Sequence, residues 1–336
     1  MEETTNKKSS SFKNILTIVI SVAFAGFFLW FATKGLDFDV IKNSLAKANY
    51  FWVALAAIFG LGAYWFRAIR WNLLFEPMGY QISNSNSLWS LSFGYLMNLT
   101  IPRSGELARA TALYGVEKVP VDKSFGTIIL ERVIDLVCML AFLGLTLVFK
   151  YDAILAFYKQ SGIEVNPNKI GLILGVLLAA GIIFLIIRNK LINVPVLGKI
   201  VGFINGILSG LTSIFKLKQK FKFLLYTLGI WICYFFAAYL VCFSLPETSH
   251  FTWADGCFLL VVGTFGMMIP ASGGIGAFNL AMKYGFMALF LSMGLDAEKG
   301  GEVGLIYSFI SLPLQICIML VMGLVSIPML AKARKF

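Results

Sequence analysis

Charge is the scarcest property of this sequence: 13% of its 336 residues are charged, about half the share in water-soluble domains. Acids are fewer still, 17 Asp and Glu against 28 Lys and Arg, leaving a net charge of +11. The one histidine, His250, excludes histidine-ligated metal centres and Ser-His or Cys-His nucleophile pairs. Five cysteines (Cys138, Cys233, Cys242, Cys257 and Cys317) show no CxxC spacing and lie in or beside apolar runs. They read as small buried hydrophobes rather than disulfide partners or metal ligands. A cleaved signal peptide is not expected, because the first apolar run is too long and no small-x-small site follows it. The longest hydrophilic stretch, 188–222, has 35 residues and is too short for a soluble domain. Neither a metal nor a cofactor is expected.

What is abundant is apolar sequence, 59% of residues, with a mean hydropathy of +0.82. Crossing about 30 Å of hydrocarbon takes about 20 consecutive apolar residues. Residues 14–33, 49–69, 126–149, 170–187, 221–245 and 303–330 form such runs. The expected fold is an all-α polytopic membrane protein with a single membrane domain, 14–330, between tails at 1–13 and 331–336.

Basic residues orient it, since loops rich in Lys and Arg stay on the cytoplasmic side. Lys7, Lys8 and Lys13 place the amino terminus there, and Lys332, Arg334 and Lys335 place the carboxyl terminus there. The second span returns to that side and ends on Arg67 and Arg70. The linker 188–222 carries seven Lys and Arg and no acid, so it is cytoplasmic too. These basic stretches account for the positive balance without nucleic acid. Within the linker, apolar residues at Ile200, Phe203, Ile204, Ile207, Leu208, Leu211, Ile214 and Phe215 predict an amphipathic helix on the membrane surface.

Two stretches, 83–114 and 254–294, each hold two apolar segments broken by a Pro-Gly motif. The flanking charges return each stretch to its starting side, so both are expected as re-entrant helical hairpins beside about six full spans. The hairpins share a motif: Ile101-Pro-Arg-Ser-Gly105 and Ile269-Pro-Ala-Ser-Gly273 stand 168 residues apart, half the chain. The same offset relates the neighbouring spans. The expected organisation is an inverted-topology repeat, repeat 1 at about 14–149 and repeat 2 at about 170–330, which builds a site near the membrane midplane from broken helices.

The first hairpin reads Pro102, Arg103, Ser104, Gly105, Glu106, with Arg109 three residues on. Helical spacing sets Arg103, Glu106 and Arg109 on roughly one face, at a helix start that also favours anions. The next span places Glu131, Arg132 and Asp135 inside an apolar run, where each charge costs at least about 2.5–3.5 kcal/mol unless paired. Glu131 and Asp135 share a face; Arg132 is within reach of Asp135, and Arg103 or Arg109 are the expected partners across the hairpin. In the second hairpin, Pro270, Ser272, Gly273, Gly274 and Gly276 form the hinge or loop, with Asn279 and Lys283 as further headgroup contacts. Those glycines follow no strand and precede no Lys-Ser/Thr pair, which argues against a nucleotide loop.

Three motifs together resemble one family: P-x-x-G-E-x-x-R (Pro102, Gly105, Glu106, Arg109), E-R-x-x-D (Glu131, Arg132, Asp135) and P-x-x-G-G-x-G (Pro270, Gly273, Gly274, Gly276). In this order the sequence resembles the lysylphosphatidylglycerol synthase transmembrane-region family, over about 14–330. The resemblance implies a flippase-like fold that moves an aminoacylated or other phospholipid. In the full synthase a soluble aminoacyl-transferase domain follows the membrane part, whereas this sequence ends at Phe336, so synthesis of the lipid by this chain alone is not expected.

The leading expectation is therefore a lipid transporter of the cytoplasmic membrane, not an enzyme. Its partners would be membrane lipids with anionic headgroups, bound through Arg103 and Arg109 and balanced by Glu106, Glu131 and Asp135. The alternatives are a membrane-embedded lipid-modifying transferase, or a membrane subunit for a separate soluble transferase.

Overall fold

The computed structural model describes residues 38–101, 103–161, 205, 212–269 and 271–334. Ten α-helices and no strand can be followed among them: α1 (Phe38–Lys47), α2 (Tyr50–Phe75), α3 (Asn84–Thr100), α4 (Gly105–Glu117), α5 (Val121–Phe149), α6 (Tyr151–Ser161), α7 (Lys220–Cys242), α8 (Trp253–Met268), α9 (Ala277–Ser292) and α10 (Ala297–Ala333). Four stretches are long and apolar enough to cross a membrane: Tyr50–Met78, Val121–Phe149, Lys220–Cys242 and Ala297–Ala333. They coincide with four of the six expected runs. The other two runs, 14–33 and 170–187, lie outside the described residues, as do both hairpin prolines, Pro102 and Pro270.

The outer faces of the long helices explain why these sequences suit lipid. On α5, Val133, Leu136, Val137, Leu140, Leu147 and Val148 are all exposed. Water would penalise so broad an apolar face, whereas hydrocarbon does not, and the helix satisfies its own backbone. Some expected boundaries move. α2 runs past Ile69 to Phe75, because Trp71, Leu73, Leu74 and Phe75 are buried and hold the last turns in the core. The predicted surface helix lies mostly outside the described residues, and its described end, Thr212–Lys216, is a 3-10 turn.

Between the long helices sit two pairs of short ones. α3 and α4 have 17 and 13 residues, and α8 and α9 have 16 each. At 1.5 Å per residue none exceeds about 26 Å, short of the hydrocarbon thickness. Each pair folds back on itself. Gly94 and Gly105 bring the backbones of α3 and α4 into contact: a Cβ on Gly94 would lie 2.6 Å from the Gly105 carbonyl oxygen. The turn is held by Ser104 Oγ, which donates to the Ile101 carbonyl at 2.7 Å, and by Gly105 N–H, which donates to Asn98 Oδ1 at 2.8 Å.

The packing alternates between the two halves. α2 lies along α7. The first hairpin reaches across to α10 through α3, and the second reaches across to α5 through α8. From α2 to α5 and from α7 to α10 the described helices run long, short, short, long.

Candidate functional site

α5 carries two carboxylates one helical turn apart, both turned inward. Glu131 is 1% exposed, and the side chain of Asp135 15%. Facing them from α2 are Arg67 and Arg70, and from α4 Arg109, all buried. The five charges form one ladder. Arg67 Nη2 meets Asp135 Oδ2 at 3.0 Å, and Arg70 Nη1 meets Asp135 Oδ1 at 2.9 Å. Arg70 Nη2 reaches Glu131 Oε1 at 3.5 Å, and Arg109 Nη2 closes the ladder on Glu131 Oε2. Every carboxylate oxygen in it therefore accepts from a guanidinium.

Aromatic residues wall the ladder. The Arg109 guanidinium lies 4.3 Å above the Trp71 ring, and Trp71 is fixed by donating Nε1–H to Thr127 Oγ1 at 2.9 Å. Phe223 covers Arg70 at 5.9 Å. Arg67 Nη1 donates to the Tyr234 hydroxyl of α7 at 2.6 Å. The ring of Tyr64 lies 4.8 Å from that of Tyr95 of α3, tilted against it, and its hydroxyl is buried without a partner among the described residues.

The ladder has more donors than acceptors. Three guanidiniums offer five N–H groups each, while two carboxylates and the Tyr234 oxygen receive them. The Nε–H groups of Arg67, Arg70 and Arg109 are each buried without a partner among the described residues. Among the described residues, three cations face two anions, which leaves one positive charge in excess in this buried cluster. Such a site favours an added anion with several acceptor oxygens, and arginine's planar fork fits phosphate and carboxylate groups.

The chain matches the family described as lysylphosphatidylglycerol synthase TM region over residues 18–318. It belongs to that family. A segment of 129 residues is 30% identical to the UPF0104 membrane protein MJ1595 of Methanocaldococcus jannaschii, and covers 38% of this chain and 38% of that protein. No solved structure matches the chain. The four long apolar helices and the family together make this an α-helical multi-pass membrane protein.

For this member of the synthase TM-region family, the structure brings together three of the six charges singled out from the first hairpin and its following span: Arg109, Glu131 and Asp135. Arg132 does not turn to Asp135. It pairs instead with Glu106 of α4 at 2.8 Å, in a half-exposed contact. The carboxylate pair faces α2, so Arg132, next in the chain after Glu131, projects from the other side of α5. Arg103 also stands apart from the ladder. It is exposed, with a left-handed φ of 63°, and donates Nη2–H to the Met268 carbonyl at the end of α8, 2.6 Å away.

Arg67 and Arg70 were expected to mark the end of the second span and instead supply most of the ladder's cations. The signal for their burial was the apolar run that continues beyond them, through Trp71 to Phe75. On the second hairpin, Asn279 is buried with both ends of its amide in use: Oδ1 accepts from Gly276 N–H at 3.0 Å, and Nδ2 donates to Ser308 Oγ at 2.7 Å. It caps α9 and ties it to α10. Lys283 is half-buried further along α9, beside Gly301 of α10. Gly273, Gly274 and Gly276 all have positive φ, and Gly273 lies against Leu99 of α3, where an added Cβ would be 3.1 Å from Leu99 Cδ2. Ser272 begins the 3-10 turn between α8 and α9. The tips of the two hairpins therefore touch.

Proposed function

We propose that this protein carries a phospholipid, its phosphate headgroup aminated or not, between the leaflets of the cytoplasmic membrane, using the Arg67–Arg70–Arg109 ladder as the passage site for the headgroup phosphate. The observation that carries this reading is the buried excess of guanidinium donors, three of them unpartnered among the described residues, between two helices long and apolar enough to cross a membrane and the short helix α4. A charge buried in hydrocarbon is costly, and a purely structural network would gain by matching its donors and acceptors. This ladder stops one anion short.

The two helix hairpins act as re-entrant elements of an inverted repeat, in keeping with their length, their reciprocal packing and the paired motifs at Ile101 and Ile269. The described conformation closes the ladder from solvent, so headgroup access requires α4 to move from α2 and α5 on one side. The glycine turn at 273–276 provides the corresponding hinge on the other. Both termini lie in the cytoplasm on this reading. A transfer enzyme fits the geometry less well, since a general base needs a free lone pair and both carboxylates are held by arginines.

Transfer of a fluorescent phosphatidylglycerol between leaflets of protein-containing liposomes tests the reading. Wild type should accelerate transfer, and Arg109→Lys, which keeps the charge and loses the fork, should slow it about tenfold or more while the protein stays folded. Transfer at the wild-type rate in both Arg109→Lys and Arg70→Lys would refute the ladder as passage site.

A further inference from the structure

A second polar recess lies one wall away from the ladder. A cavity of about 540 Å³ opens between the end of α2, the connection 76–84 and the start of α7. This volume is in the range of small-molecule sites. Its polar lining includes Glu76, Tyr80, Asn84, Lys218, Gln219 and Lys222. Part of its aliphatic wall, Ile69 and Leu73, belongs to the same turns of α2 that carry Arg70 and Trp71. The residue after Lys222 is Phe223, whose ring covers Arg70.

The lining carries charge of both signs in a fixed arrangement. Gln219 Nε2 donates to both oxygens of Glu76 at 3.0 Å, holding that carboxylate at the cavity rim. Tyr80 is held from behind by Lys123, whose Nζ donates to its hydroxyl at 3.1 Å and lies 5.1 Å from the ring centre. Asn84 is fixed by Asn72, which donates to its Oδ1 at 2.6 Å. Two exposed ammonium groups, Lys218 and Lys222, complete the rim. A purely anionic ligand would meet Glu76, and a purely cationic one would meet the lysines. A ligand with a phosphate and an ammonium a few bonds apart satisfies both.

The surroundings point to lipid as its source. Phe215 and Phe221 are 81% and 72% exposed, and they alternate with Lys216, Lys218, Lys220 and Lys222. Aromatic rings interleaved with lysines are what a chain presents at the headgroup level of a bilayer.

We propose that this cavity is a headgroup-binding site for an amine-bearing phospholipid, with Lys218 and Lys222 on the phosphate and Glu76 on the ammonium. The inference rests on the lipid-carrying reading and adds to it a loading site of defined headgroup class beside the ladder. The carbons that join phosphate and ammonium would lie along Ile69, Leu73 and Ile82.

Native mass spectrometry of the detergent-purified protein, titrated with phosphatidylethanolamine or phosphatidylglycerol of the same acyl chains, tests it. Wild type should retain phosphatidylethanolamine more strongly. Glu76→Gln should remove that preference while leaving phosphatidylglycerol retention unchanged, and Lys218→Ala with Lys222→Ala should lower retention of both about tenfold or more, through the loss of both ammonium contacts to the phosphate. These positions are exposed, so the variants should fold, and an unchanged melting temperature verifies that. Soluble glycerophosphoethanolamine distinguishes the sources: displacement of the lipid at millimolar concentration would show that the headgroup chemistry alone suffices and a free phosphate-amine is the ligand, overturning the lipid assignment. No displacement supports it. Wild-type preference for phosphatidylglycerol, or retention insensitive to all three substitutions, would overturn the site. Arg109→Lys separates this inference from the transport reading, since it should slow leaflet transfer and leave the phosphatidylethanolamine preference intact. If wild type transfers no lipid but the preference still depends on Glu76, the carrier reading falls and the site stands.

Discussion

Arg103 and Met268 are 165 residues apart in the chain and joined by one hydrogen bond of 2.6 Å, from the guanidinium of the first hairpin tip to the last carbonyl turn of α8. Beside it, Leu99 packs on Gly273. These contacts connect the tips of the two hairpins directly, so a disturbance at one tip should reach the other. Arg103→Ala should raise hydrogen exchange at residues 97–105 and, through the lost bond, at residues 267–276. Because Arg103 is exposed, the cost in stability should stay near 1 kcal/mol. Faster exchange confined to the first tip would show that the bond couples nothing.

Within the ladder, Glu131 is the carboxylate whose loss matters most, because it is 1% exposed and both its oxygens are engaged, one by Arg109 and one by Arg70. Glu131→Gln leaves three buried cations against a single acid and should destabilise the folded protein by about 3–5 kcal/mol. Adding Arg109→Met removes one of the stranded cations, so the double variant should be more stable than Glu131→Gln alone. Thermal unfolding of the purified variants measures the cycle. A double variant less stable than both singles would mean that the two charges do not depend on each other.

Much of this was legible in the sequence and some was not, for reasons that the residues make plain. Four spans could be read because lipid imposes length and hydropathy on each helix by itself, with no reference to its neighbours. Arg109, Glu131 and Asp135 stood out because a charge in an apolar run is conspicuous. Arg67 and Arg70 escaped notice for the opposite reason: arginines at a span's end are ordinary, and only the burial of Trp71 and Phe75 shows that the helix had not ended. The choice of partners was not legible either. Arg132 meets Glu106 and not Asp135 because of the rotation of α5 about its axis, a property of packing that spacing alone leaves open.

The α3–α4 hairpin depends on a contact with no room for a side chain. Gly94 lies against the Gly105 carbonyl, and a Cβ there would also come within 2.9 Å of Arg109 Cβ. Gly94→Val should therefore push α4 away from α3 and displace Arg109 from Glu131, costing about 2–4 kcal/mol through overpacking and a weakened ion pair. Gly115, on α4, has open space around it, and Gly115→Ala should be neutral or stabilising by up to about 1 kcal/mol. Thermal melting of the two variants compares them, and equal effects would refute the close contact.

A second buried ion pair, at the start of α8, is balanced where the ladder is not. Asp255, fully buried at the start of α8, accepts from Thr252 N–H at 2.8 Å and from the Thr252 hydroxyl at 2.7 Å, and its other oxygen meets Lys150 Nζ at 2.7 Å. One cation faces one anion here, and the helix cap uses the remaining capacity. Lys150→Gln should cost about 3 kcal/mol, because it leaves the carboxylate buried without its counter-charge. Yet leaflet transfer, measured well below the lowered melting temperature, should keep its wild-type rate. Ladder variants of similar instability should lose transfer under the same conditions. If Lys150→Gln slowed transfer as much as Arg109→Lys does, instability alone would account for both losses, and the excess of arginine donors would lose its claim to a function.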